Sequence, residues 1–140
     1  MTTYREAKEA QQAAYNAFPI GFAFSKEQLK EEMARLKVSS TDELINIPGG
    51  GFIRETDKEA FLKMCDDQDK IMRAYIAADP DGSGFIADMF HTELADHEYC
   101  ITGDLSETLD ALGMTLEEIN ADSRLVNGLK IALKRYGEEL

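Results

Sequence analysis

Apolar residues recur along this chain at mostly helical spacing. Over residues 2–17, Tyr4, Ala7, Ala10, Ala14 and Phe18 trace a thin apolar face through a segment rich in Ala, Glu, Gln and Lys, which predicts a lightly docked helix. Pro19 and Gly21 break it, and Phe22-Ala23-Phe24 follows as a short extended apolar stretch. Ser25 is placed to cap a second helix: Gln28, three residues on, completes a capping box, and Leu29, Met33 and Leu36 repeat on one side. The period then shortens. Leu44, Ile45 and Ile47 precede Pro48-Gly49-Gly50-Gly51, after which come Phe52, Ile53 and Arg54, the pattern of a β-hairpin around a glycine turn. Thr56 and Glu59 suggest the capping box of the longest helix, running to about Ala78. Its stripe of Phe61, Met64, Cys65, Ile71, Met72, Tyr75 and Ile76 makes it the expected core helix. A further helix spans about Phe85 to Tyr99 and buries Ile86, Met89, Phe90 and Leu94. Two short helices start at Asp104 with Glu107 and at Thr115 with Glu118, separated by Gly113 in a C-cap position. The last begins near Asp122 and carries Leu125, Val126, Leu129, Ala132, Leu133 and Tyr136. The expected architecture is a single domain over residues 1–140, mainly α (α+β), a compact bundle of six or seven helices with one small β-hairpin.

Composition agrees with a globular chain: of 140 residues, 44% are hydrophobic and 30% charged. The polar start lacks the basic and apolar regions of an export signal, and no run approaches the roughly 18 apolar residues of a membrane span, so a cytoplasmic protein is expected. Cys65 and Cys100 are expected as free thiols acting as small hydrophobes.

Charge changes the picture more. Fifteen Lys and Arg stand against 27 Asp and Glu, a formal net charge of −12. Such a balance disfavours nucleic acid and anionic membranes, because both are bound largely through Lys and Arg contacts to phosphates. The deficit is concentrated. Between Asp79 and Asp122 the chain has twelve acids and no Lys or Arg, whereas Ser123 to Gly137 carries Arg124, Lys130, Lys134 and Arg135 with no acid. Two readings follow: a solvated acidic face that maintains solubility, or a surface that steers toward a basic protein partner, such as a nucleic-acid-binding protein. The residues for the second are Asp88, Asp96, Glu98, Asp104, Glu107, Asp110, Glu117 and Glu118.

Two partial motifs offer metal chemistry. Asp79, Asp81 and Ser83 stand at positions 1, 3 and 5 of an EF-hand-like loop that continues through Gly84 to Ile86, but position 12 is Phe90 where a bidentate Glu is needed. The pattern gives a calcium-binding alternative lacking its strongest ligand, and the same residues suit a tight interhelical turn. Glu93 and His97 lie one helical turn apart, which admits a metal-dependent hydrolase as a further alternative. Two ligands do not complete a site, and mutual hydrogen bonding is the simpler role. The three glycines after Pro48 lack the helix, Lys and Ser or Thr of a phosphate loop. Leu105 to Thr115 has the rhythm of a helix-turn-helix without base-reading side chains. No nucleophile stands in a catalytic context, so no enzyme activity and no required cofactor is expected.

Phe22-Ala23-Phe24-Ser25 with Gln28, Gly49 through Arg54, Phe61, Phe85-Ile86 with Asp88-Met89-Phe90, Glu93-Leu94 and His97-Glu98-Tyr99 together resemble a family of small proteins common in Firmicutes, often on phage and conjugative elements. The resemblance covers roughly residues 20–135 and implies a mobile-element context without catalytic residues. With the charge pattern, it leads to the expectation of a small acidic cytosolic protein-binding protein, an inhibitor or modulator of a basic host protein of the anti-defence, nucleic-acid-mimic type.

Overall fold

Helix signals become seven α-helices and one hairpin in the computed structural model, which describes residues 2–96 and 105–139. The helices are α1 (Tyr4–Ala17), α2 (Lys26–Leu36), α3 (Lys58–Ala78), α4 (Phe85–Asp96), α5 (Ser106–Leu112), α6 (Leu116–Asn120) and α7 (Ser123–Glu138). Strands β1 (Leu44–Asn46) and β2 (Phe52–Arg54) pair antiparallel, with Leu44 opposite Arg54, Ile45 opposite Ile53 and Asn46 opposite Phe52. The architecture is mainly α, as the periodicity implies. No described helix is long and apolar enough to cross a membrane.

The chain forms two compact units, Met1–Glu9 with Ile71–Leu140, and Ala10–Lys70. In the Ala10–Lys70 unit, Ile20, Ile47, Ile53 and Phe61 form the buried cluster, with Tyr15 and Phe18 against the Phe61 ring edge-on at 6.3 and 5.4 Å between centroids. The hairpin gains a third partner on its β2 side: Gly21 and Phe52 exchange both backbone hydrogen bonds, at 2.8 and 3.0 Å. A side chain at Gly21 would run into the Phe52 ring, which explains glycine there. Ser25 caps α2 by accepting the Gln28 amide at 3.2 Å, while the Gln28 side chain takes the Phe24 amide at 2.7 Å.

In the other unit α4 is the central element. Phe85, Ile86, Ala87, Met89, Phe90, Glu93 and Leu94 are all buried, and α7 packs against it more extensively than any other element. This corrects the expectation for α3, along which only Phe61 is fully buried; Cys65 and Ile71 are exposed. An amphipathic stripe reports which face of a helix can be covered but not how completely: on α4 the polar Asp88, His91, Thr92 and Asp96 share one side and the rest of the helix surface is largely enclosed. Nor does Thr56 cap α3, since it lies inside a 3-10 turn, Glu55–Asp57, and the α-helix starts two residues later. Three of the later signals hold: Thr115 accepts the Glu118 amide, Asp122 accepts the Arg124 amide, and Gly113 ends α5 with φ of +65°. The start expected at Asp104 does not: α5 begins at Ser106 with Leu105 in the N-cap position and no side-chain cap, and Asp104 itself lies outside the described residues. Cys65 is a free thiol, and Cys100 lies outside the described residues.

Candidate functional site

The acid-rich stretch opens at the bend between α3 and α4, where an aspartate at the end of one helix meets the unpaired amides that begin the next. Asp79 is 6% exposed. Its Oδ1 accepts the Gly82 amide at 2.9 Å and, at a longer 3.4 Å, that of Asp81; its Oδ2 accepts Gly84 at 3.2 Å and Ile86 at 3.0 Å. The carboxylate therefore gathers the amides of the bend and of the α4 N-terminus, where a negative charge is favoured by the helix dipole. Asp81 Oδ1 takes both the Ser83 hydroxyl at 2.6 Å and the Ser83 amide at 2.9 Å. The hydroxyl is the main reason the Asp81 carboxyl is held below the usual range.

The other half of the bend is closed by α7. The Arg124 guanidinium donates to the carbonyls of Ile76, Ala77 and Asp79 at 3.2, 3.3 and 2.9 Å, satisfying the end of α3, and it is oriented by Asp122 at 2.9 Å. That pairing lowers the Asp122 carboxyl and raises Arg124, each mainly through the hydrogen bond. Asn127 donates to the Asp81 carbonyl at 2.9 Å. Contact is close enough to require glycine on both sides. Gly82, with φ of +84°, would place a Cβ 1.9 Å from the Arg124 carbonyl oxygen, and Gly128 would place one 2.4 Å from Ile86.

Glu93 is also an internal group, 5% exposed. It accepts a hydrogen bond from the Tyr4 hydroxyl, and its backbone carbonyl faces the buried Thr108 hydroxyl at 3.4 Å. Burial first, and the Glu93 carboxylate second, push the Tyr4 phenol well above its ordinary range. The Tyr4 ring stands edge-on to Phe85 at 5.7 Å, and its amide donates to Asp88 at 3.1 Å, so Asp88 serves the first turn of α1. His97, proposed from sequence as the partner of Glu93, lies outside the described residues, as do Glu98 and Asp104. His91 instead reaches Glu139 at 2.9 Å.

The acids thus divide into two sets. Asp79, Asp81, Asp88, Glu93 and Asp122 make specific internal hydrogen bonds, whereas Asp96, Glu107, Asp110, Glu117 and Glu118 are exposed at the end of α4 and on α5 and α6. Among the described residues, no group of three His, Cys, Asp or Glu side chains is arranged to hold a metal ion. The roles of Tyr4 and Arg124 were not visible in the pattern, because each partner lies 45 to 89 positions away. Arg124 had one local clue in its spacing from the cap Asp122.

Beside the bend lies a mainly apolar cavity of about 250 Å³, lined by Tyr75, Ala78, Pro80 and Phe85 with Asp81 and Ser83 among its polar groups. Tyr75 and Phe85 are stacked, 5.3 Å between centroids.

Residues 3–135 match DUF7659, a family of unknown function, and the chain belongs to that family. No curated protein and no solved structure matches it.

Proposed function

We propose that this DUF7659 protein is a protein-binding module of a phage or mobile element that engages and modulates a basic host protein through the exposed acids Asp96, Glu107, Asp110, Glu117 and Glu118. The observation that carries the reading is the separation of the acids into two sets. Five have structural tasks in the bend, on α4 and at the α7 cap, and five others face solvent in a stretch where no Lys or Arg offsets them. Opposed charge of this kind accelerates encounter and selects partners by sign more than it adds affinity. The resemblance to mobile-element proteins supplies the context, and a nucleic-acid-binding host protein has the required basic surface.

The test is a pull-down from host lysate eluted over a salt gradient, run beside the variant Glu107→Gln, Asp110→Asn, Glu117→Gln, Glu118→Gln. A basic protein retained at low salt, released as the Debye length shortens, and lost with the variant supports the reading. Retention of the same protein by the variant, or no capture at low salt, overturns it.

A further inference from the structure

Most of the exposed acids stand on short helices, where each exposed ion pair is worth little. A specific complex also needs an anchor that desolvates, and the cavity beside the α3–α4 bend has the features of one. We propose that this cavity receives an arginine side chain of the basic partner, its apolar stem against Tyr75, Phe85 and Pro80 and its guanidinium toward Asp81; the proposal rests on the reading that the partner is basic.

Size, lining and charge each narrow the occupant. At about 250 Å³ the cavity falls below the roughly 300–1,000 Å³ of sites for drug-sized molecules, which favours a single long side chain over a cofactor. Its walls are mainly aromatic and aliphatic, with the Tyr75 and Phe85 rings stacked on each other in the lining, apolar surface along which a methylene stem can lie. Both charged residues of the lining, Asp79 and Asp81, are acids, and no Lys or Arg takes part. Asp79 is committed to backbone amides. Asp81 is exposed and, on its Oδ1, bonded to the Ser83 amide and hydroxyl. A leucine or phenylalanine anchor would fill the apolar part without answering the Asp81 carboxylate. An arginine does both, since its three methylenes follow apolar surface while the head stays polar.

The probe is N-acetyl-arginine amide, titrated into the full chain and followed by amide and side-chain NMR, with N-acetyl-leucine amide as the comparison. The expected result is saturable shifts at Tyr75, Asp81 and Phe85, with Kd on the order of millimolar for so small a ligand, and no saturation with the leucine compound. Asp81→Asn, whose amide oxygen still accepts from Ser83, should weaken binding about fivefold or more, and Ala78→Phe should abolish it by filling the mouth. Glu117→Gln with Glu118→Gln should leave it unchanged. Equal binding of the leucine compound, shifts confined to Glu107, Asp110, Glu117 and Glu118, or no shifts at all would overturn the proposal. Loss of the lysate partner with the neutralised α5–α6 variant, but not with Ala78→Phe, would overturn this anchor while preserving the acidic-surface reading.

Discussion

Replacing Asp79 by asparagine changes one atom at the α3–α4 bend, and the hydrogen-bond pattern determines its cost. In the native protein Oδ1 takes the Gly82 amide and Oδ2 those of Gly84 and Ile86, the Gly82 and Ile86 bonds being buried. An asparagine can keep its oxygen on only one side. Whichever way it turns, its NH2 group faces an amide donor, so at least one buried N–H loses its acceptor, at about 1–3 kcal/mol. Loss of the negative charge beside the α4 N-terminus adds about 0.3–1 kcal/mol, so Asp79→Asn falls between roughly 1.3 and 4 kcal/mol, with about 2–3 kcal/mol the central expectation. Asp79→Ala removes both acceptors and should cost about 4 kcal/mol, above the usual range for an N-cap. Those losses are large beside a typical total stability of about 5–15 kcal/mol. Urea unfolding followed by circular dichroism provides the measurement. With m near 2 kcal/mol/M, the midpoint should fall by about 1–1.5 M for Asn and about 2 M for Ala. Amide exchange at Ile86 should accelerate with the same order of variants. The reasoning is refuted if Asp79→Asn unfolds within about 0.3 M of the parent, because then the four amides do not depend on the carboxylate.

Five further substitutions test other parts of the structure. Gly128→Ala should destabilise by about 1–2 kcal/mol despite the better helix propensity of alanine, because its Cβ would lie 2.4 Å from Ile86; Gly137→Ala, on the same helix with no atom within 4 Å, should stabilise by about 0.5–1 kcal/mol, both read as midpoint shifts. Tyr4→Phe should cost about 1.5–3 kcal/mol at neutral pH through loss of the bond to Glu93. It should also flatten the alkaline limb of the stability curve. The unfolded chain gives up the Tyr4 proton near pH ~10 while the folded chain keeps it, so this contribution is complete below that pH and falls by up to about 1.4 kcal/mol per unit above it; equal alkaline slopes for parent and variant would contradict the assignment. Phe24→Ala should change stability by less than about 0.5 kcal/mol because the ring is 92% exposed, whereas Phe61→Ala should cost about 3–5 kcal/mol; comparable urea midpoints for the two would contradict the placement of the core.

What the sequence reveals here is mostly local. Ser25, Thr115, Asp122 and Gly113 act within four residues of themselves, and the caps they suggest are formed; the hairpin is equally legible, since Pro48 to Gly51 leaves the chain few alternatives to a turn. Thr56 is one local exception, displaced by the 3-10 turn. The centre of the core is less legible. The stripe on α3 is longer than any run on α4, but amphipathicity says nothing of what lies opposite, and α4 also has a polar side, Asp88, His91, Thr92 and Asp96, so the pattern alone does not single it out as the central helix. The Asp79-to-Ile86 motif is ambiguous for a chemical reason: oxygen-rich turns suit cations and backbone amides alike, and only distances reveal that Asp79 is engaged with amides. The pairings of Tyr4 with Glu93 and of Arg124 with the end of α3 are tertiary, and the one local trace is the two-residue spacing of Arg124 from Asp122.

The wiring of the bend has a consequence for the order in which the molecule assembles. Ala10–Lys70 is one continuous segment and can gather its cluster as soon as it has left the ribosome. The other unit is built from both ends of the chain. Asp88 and Glu93, which fix Tyr4, follow it by 84 and 89 positions, and the end of α3 waits for Arg124. Until α7 emerges, α4 exposes its apolar surface and the bend lacks its clamp. A nascent chain halted before Ser123 should therefore hold a finished Ala10–Lys70 unit and an incomplete second one, the form in which this protein is most exposed to proteases and chaperones.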